Sequence, residues 1–291
     1  MPPWGLALAA MFSVQLGAAL SIELIETVGP AGTAWLRLTL GALILIVIAR
    51  PPWREVRRPD VPVLLGLGVA TGLVTILFLA AIERIPLGTA VAIEFLGPLT
   101  VAAVRSHTRR ALLWPGLAFV GVVLLTQPWH GEVNVPGLLF AAMAAVGWAT
   151  YILLTQRIGD RYAGIGGLSL TVPIAAATAA IVGIPQATGH LNGSVLVWAL
   201  GLALLLPVIP LALEMLALRQ MTSAAFGTLM ALEPAFAVLL GLVVLHQTPS
   251  ASQYAGIAIV VLAGAAAQRG GRRDRPSADR SGPHSELDLL G

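Results

Sequence analysis

The chain has 291 residues, 57% of them hydrophobic and 11% charged, with a mean hydropathy of +0.87. A soluble domain averages about 25% charged residues, so this is an integral membrane protein with no room for a soluble domain of any size. It contains no cysteine, which excludes disulfides and thiolate metal sites. The pI near 10.2 does not point to a nucleic-acid partner. All 17 basic side chains are arginine, and they gather in loops on one predicted side and in the tail, the positive-inside pattern of a membrane protein.

A helical span takes about 20 apolar residues. Ten segments are predicted, at 4–22, 34–49, 61–81, 86–104, 112–126, 135–155, 164–184, 195–218, 223–245 and 253–267. Turn signals separate them, among them Val28-Gly29-Pro30, Pro51-Pro52, Gln127-Pro128, His190-Leu191-Asn192-Gly193 and Thr248-Pro249. The opening MPPWG carries no basic side chain, so the first apolar stretch is expected to be a permanent helix rather than a cleaved signal. The second and third segments are linked by Arg50, Arg54, Arg57 and Arg58, the fourth and fifth by Arg105, Arg109 and Arg110. Arg157 and Arg161 follow the sixth segment, Arg219 follows the eighth, and the opposite loops hold only Arg84. This asymmetry places both termini in the cytoplasm. The tail 269–291 is basic and Gly/Pro-rich, and is expected to be a disordered cytoplasmic extension. It either touches anionic lipid or stays solvated and fixes topology.

The chain also repeats itself. GLALAAMFSV at 5–14 and GLLFAAMAAV at 137–146 share six of ten positions without a gap. Pro98 aligns with Pro234, bringing Leu96 onto Leu232 and Ala81 onto Ala217. Gly116 aligns with Gly256. The predicted organisation is a five-helix unit at 1–126, a connection at 127–134 and a second five-helix unit at 135–268. Five is odd, so the second copy enters the membrane inverted, an arrangement that places a site at the midplane between the halves. The expected fold class is thus an all-α polytopic membrane protein of ten helices in two inverted repeats.

Glu94 and Glu233 lie deep in apolar segments. An acid there costs about 2.5–3.5 kcal/mol on the insertion scale. Pro98 and Pro234 each free a backbone carbonyl that lipid cannot satisfy, those of Glu94 and Met230. Both features fit helices that line a polar cavity, and a transport pathway is the economical reading. Arg37 is the only basic residue inside a predicted helix, and an ion pair with Glu233 would fix helix packing. For Glu233 the structural and functional readings stay open. The histidines fall in loops or the tail without metal-ligand spacing, and no Gly-rich phosphate loop is present. Neither a metal, a cofactor, ATP-driven transport nor an intramembrane enzyme is therefore expected.

The runs PLGTAVAIEFLGPL (86–99), GWATYILLTQRIG (147–159) and LEMLALRQMTSAAFGTLMALEPAFAVLLG (213–241) resemble the EamA-type drug/metabolite transporter superfamily, and within it the threonine/homoserine exporters of bacterial inner membranes. The resemblance covers the chain to about residue 268. It implies a multi-pass protein of the bacterial plasma membrane that exports small amino acids in exchange for protons. Its partners would then be an amino-acid cargo, protons and the lipid bilayer, with a homodimer left open. In that setting Glu94 is the first candidate for the proton-coupling carboxylate, the alternative being a structural glutamate. Glu214 is a candidate for the cargo's ammonium group or an exit gate, against a pairing with Arg219. Trp148 and Tyr151 share one helix face with Thr155 and would wall the cavity, although Tyr151 also suits a membrane interface. Gln15 would donate to a cargo carboxylate or bond a neighbouring helix, and Thr228 is a weaker cargo contact. Export of other metabolites on the same fold, or a receptor that moves nothing, are the rival readings.

Overall fold

The structure is a computed structural model that describes residues 2–105, 109–127, 129, 133–158, 165–221, 226 and 229–270. Regular structure among the described residues is entirely helical. The first helix, α1, spans Pro3–Ala49, 47 residues. At 1.5 Å per residue it would be about 70 Å long if straight, over twice the hydrocarbon thickness. It is instead a hairpin. Gly29 adopts φ 72°, ψ 169°, a backbone state that side-chain-bearing residues avoid. Beyond it Arg37 Nη1 donates to Ser21 Oγ at 3.4 Å, so residues eight positions either side of Gly29 lie side by side. The turn forecast at Val28-Gly29-Pro30 is therefore a single residue rather than the loop 23–33. Leu24, Ile25 and Val28 are apolar and buried, which extends the first arm, and Pro30 is tolerated at the start of the second.

Helix α2 covers Val61–Ile82, matching the prediction within a residue. The next segment is interrupted at Phe95 and forms α3 (Leu87–Glu94) and α4 (Leu96–Arg105). There follow α5 (Leu113–Thr126), α6 (Val135–Ile158) and α7 (Ile165–Ala187). The segment predicted as one helix over 195–218 is broken. Helix α8 (Gly193–Ala203) ends in a wide turn, Leu204–Val208, before α9 (Ile209–Leu218). Leu206 is extended there (φ −158°, ψ 111°) and Pro207 has no N–H to continue the ladder. Of the predicted helix 223–245, a turn at Ala231–Leu232 leads into α10 (Glu233–Val243). Helix α11 is Ala251–Gly270. The tail beyond 270 and the centre of the 127–134 connection lie outside the described residues.

Six helical stretches among the described residues are long and apolar enough to cross a membrane, and three shorter apolar ones accompany them. The protein is therefore a polytopic α-helical membrane protein. Helix α1 packs on α7, α8 and α9, α2 packs on α6 and α7, α3 lies against α10, and α5 lies against α11. Small residues permit these approaches. A methyl group on Gly68 or Gly72 would sit 2.9 Å from the Thr171 carbonyl oxygen or 2.7 Å from that of Ala175, so α2 rests on the backbone of α7. Gly121 and Gly256 meet reciprocally, each placing an added methyl within 2.7 Å of the other's carbonyl oxygen. Gly116, which the sequence aligned with Gly256, faces open space.

Candidate functional site

The helices enclose a cavity of about 430 Å³, at the small end of the roughly 300–1,000 Å³ typical of small-molecule sites. Its polar wall comes from five segments: Arg37 from the second arm of α1, Glu94 from the end of α3, Glu214 from α9, Glu233 from the start of α10, and Gln15 from the first arm of α1. Trp148 and Tyr151 of α6 complete it on one side. Local sequence explains each placement. Glu94 is the last residue before the break at Phe95, and Glu233 the first after the turn at Ala231–Leu232, so both carboxylates sit where a helix is interrupted. The interruption at Leu204–Val208 brings Leu206 into the wall and sets Pro207 against Gly41 of α1, while Ser13 Oγ donates to the Leu205 carbonyl at 2.9 Å.

The predicted residues thus divide clearly. Gln15, Arg37, Glu94, Trp148, Tyr151, Glu214 and Glu233 converge on one cavity. Pro98 and Pro234 do not line it; they lie just beyond the two interruptions. Thr228 lies outside the described residues. Thr155, grouped with Trp148 and Tyr151 from its spacing, is exposed and donates to the Tyr151 carbonyl at 2.8 Å, so it is no part of the wall. The sequence reading missed Thr71 and Thr75 of α2 and Thr171 of α7, which also line the cavity. Their hydroxyls bond carbonyls one turn back in their own helices, and such threonines are common in any apolar helix.

The charges are deeply buried: Arg37 is 4%, Glu94 9% and Glu233 5% exposed. The suggested Arg37–Glu233 ion pair does not form. Among the described residues Arg37 makes no ion pair at contact distance, and the carboxylate whose charge acts on it is Glu94. Glu233 faces like charges, Glu214 and Glu94. Hydrogen bonding is also incomplete, since Gln15 Oε1 and Arg37 Nε are buried without a partner. Buried polar groups are normally satisfied, so the wall has binding capacity to spare. No group of three or more acidic or imidazole side chains among the described residues could hold a metal ion.

On the side away from the basic helix ends, glutamines brace the helices. Gln186 Oε1 accepts from the Ala31 and Gly32 amides at 2.7 and 3.1 Å, capping the second arm of α1. Gln247 Oε1 accepts from the Leu87 amide at 3.1 Å, capping α3.

A polytopic helical protein built around a small, charged, buried cavity has the architecture of a membrane solute transporter. Residues 135–266 match the EamA-like transporter family. The threonine/homoserine exporter RhtA of Salmonella typhimurium (strain SL1344) is 37% identical over 268 residues, 88% of each chain. Its counterpart from Escherichia coli (strain K12) is 36% identical over 280 residues, 90% of this chain and 91% of that one. The pseudopaline exporter CntI of Pseudomonas aeruginosa (strain UCBPP-PA14) is 29% identical over 150 residues, 48% of this chain and 53% of that one. A solved crystal structure superposes with a TM-score of 0.62 at 21% identity, covering 91% of this chain and 98% of that chain, a likeness of fold. The chain belongs to the EamA-like transporter family.

Proposed function

We propose that this protein exports small amino acids of the threonine/homoserine kind across the bacterial plasma membrane, by alternating access coupled to inward proton movement. The observation that carries the reading is the cavity, whose wall combines one guanidinium with three carboxylates around a space of small-solute size. Such a wall suits a small zwitterion, and the relatives named for threonine and homoserine export align over nearly the whole chain.

In this reading the fold is two inverted five-helix units with both termini cytoplasmic. The packing supports it. Exchanging the first arm of α1 with α6, its second arm with α7, α2 with α8–α9, α3–α4 with α10 and α5 with α11 turns the main helix contacts into one another. The α2–α6 contact becomes that of α8–α9 with α1, while α3–α10 and α5–α11 map onto themselves. An inverted repeat of this kind opens to either side by exchanging the conformations of its halves. The described arginines at the ends of α1, α4, α6 and α9 are exposed, as expected of a cytoplasmic face.

Glu94 takes up a proton from one side and releases it on the other. Gln15, Trp148, Tyr151, Glu214 and Thr228 contact the cargo, Glu214 acting as its exit gate. Glu233 and the helix breaks near Pro98 and Pro234 shape the site. One inward charge supplies about 2.3 kcal/mol per 100 mV. At about 1.4 kcal/mol per tenfold, that supports an outward gradient of about 40-fold before any pH gradient is counted.

The test is uptake of labelled threonine and homoserine into proteoliposomes under an imposed pH gradient, with wild type beside Glu94→Gln. Saturable, gradient-driven flux that the substitution abolishes is the expected result. Flux unaffected by Glu94→Gln would move proton coupling to Glu214 or Glu233. Absence of flux for both amino acids in folded protein would overturn the cargo.

A further inference from the structure

Arg37 has no role in the reading above beyond packing, and the packing role fails on geometry. We infer that Arg37 receives the cargo's carboxylate, so that the cargo lies as a zwitterion between Arg37 and Glu94; this rests on the amino-acid cargo proposed above.

Among the described residues lining the cavity Arg37 is the one cation. A buried arginine retained for structure would be expected to touch a carboxylate and to spend its donors, because an unpaired buried charge is costly. Arg37 does neither. It is 4% exposed, makes no ion pair at contact distance, and its one hydrogen bond is the 3.4 Å contact with Ser21. Its Nε is buried without a partner, and a guanidinium has five N–H donors in a fixed fork. That fork is matched to a carboxylate, which it grips through two parallel bonds.

The second half of the argument is what Arg37 faces. It attracts Glu94 without touching it, and both line the same space. Opposite charges that line one cavity without pairing form a socket for a molecule that carries the complementary pair. An α-amino acid does so, its carboxylate turned to Arg37 and its ammonium to Glu94. Gln15, 3% exposed and on the same wall, has an unpartnered amide oxygen that can accept from the ammonium. A cargo lacking either charge leaves one end of the socket buried and unpaired, and sites built around a polar partner discriminate strongly against analogues that lack it.

The discriminating pair is threonine and threoninamide, which share the ammonium and the side chain and differ at the carboxylate. Binding of both to purified wild type and to Arg37→Gln is measured by titration calorimetry in lipid nanodiscs. Wild type is expected to prefer threonine by about tenfold or more, and in Arg37→Gln the ratio of the two affinities falls to near one. A structural role would instead weaken both ligands together and leave the ratio unchanged, which would overturn the assignment. If Arg37→Gln does not fold, the wild-type ratio and Arg37→Lys decide. Equal binding of the two ligands by wild type, or a preference lost in Arg37→Lys no more than in a conservative change at a position off the cavity while both ligands weaken together, overturns it. Wild type that binds threonine but keeps its preference in Arg37→Gln sinks the carboxylate anchor alone. Wild type that binds neither threonine nor homoserine sinks the cargo proposal, and the anchor with it.

Discussion

The two halves of the chain build the cavity wall by different means. In the first half, α1 folds back at the single residue Gly29, and α2 runs unbroken from Val61 to Ile82. In the second, α6 and α7 are separate helices, and the stretch after Gly193 is broken at Leu204–Val208. The charges are divided unequally too. The first half supplies Arg37 and Glu94, the second Glu214 and Glu233 with no cation on the wall. Where α1 places Arg37, α7 places the uncharged Leu168, Thr171 and Val172. The proposed repeat accounts for the packing the halves share. The polarity of the site arises where they differ, because a cavity with identical charges on both sides could not orient a dipolar cargo.

The comparison breaks most sharply at Gly29. A valine there meets both the positive φ and Gln186, whose side chain lies 2.2 Å from an added Cβ. Gly29→Val is expected to cost about 3 kcal/mol or more, read as loss of the folded protein in a thermal-unfolding assay in detergent. The contact between α5 and α11 gives the next test. Gly121→Ala is expected to destabilise by about 1–3 kcal/mol, whereas Gly116→Ala, which faces open space, stays within about 0.5 kcal/mol of wild type or is slightly stabilising. Equal effects would show that the close approach of Gly121 to Gly256 does not limit the packing of α5 on α11.

The carboxylates sharpen the functional side of the comparison. Glu94→Gln is expected to lower proton-driven exchange by about tenfold or more, with Glu233→Gln affecting it less. The reverse order in proteoliposome flux would assign coupling to the second half. The smallest difference is expected at the caps. Gln186 accepts from two amides and Gln247 from one. Gln186→Leu should therefore cost about 1 kcal/mol, and Gln247→Leu about half of that. Chemical denaturation followed by intrinsic fluorescence distinguishes them.

Much of the site was legible because charge is expensive in apolar helices. Glu94, Glu233, Glu214, Arg37 and Gln15 stand out against their neighbours, and all five reach the cavity. Thr71, Thr75 and Thr171 did not stand out, since a threonine that bonds its own helix costs little anywhere in the membrane. The helix ends were readable where punctuation was strong, as at α2. The break in 195–218 carried a signal in Pro207, but proline alone does not distinguish a kink from a chain reversal or a wide turn. The expected Arg37–Glu233 ion pair is not formed: composition identifies a buried charge but not whether a carboxylate comes within reach of it.

The sequence by itself determined that this chain lives in a membrane as a bundle of helices, and which side chains are too polar to face lipid. Those properties follow from hydropathy, spacing and charge, which are local. Only the tertiary structure decided that α1 is a hairpin closed by one glycine, that Gly121 meets Gly256, and that Arg37 makes no ion pair with any described carboxylate and leaves donors unused. Those depend on which backbones approach one another, and that is set by packing between segments up to 192 residues apart in the chain, as at Ser13 and Leu205.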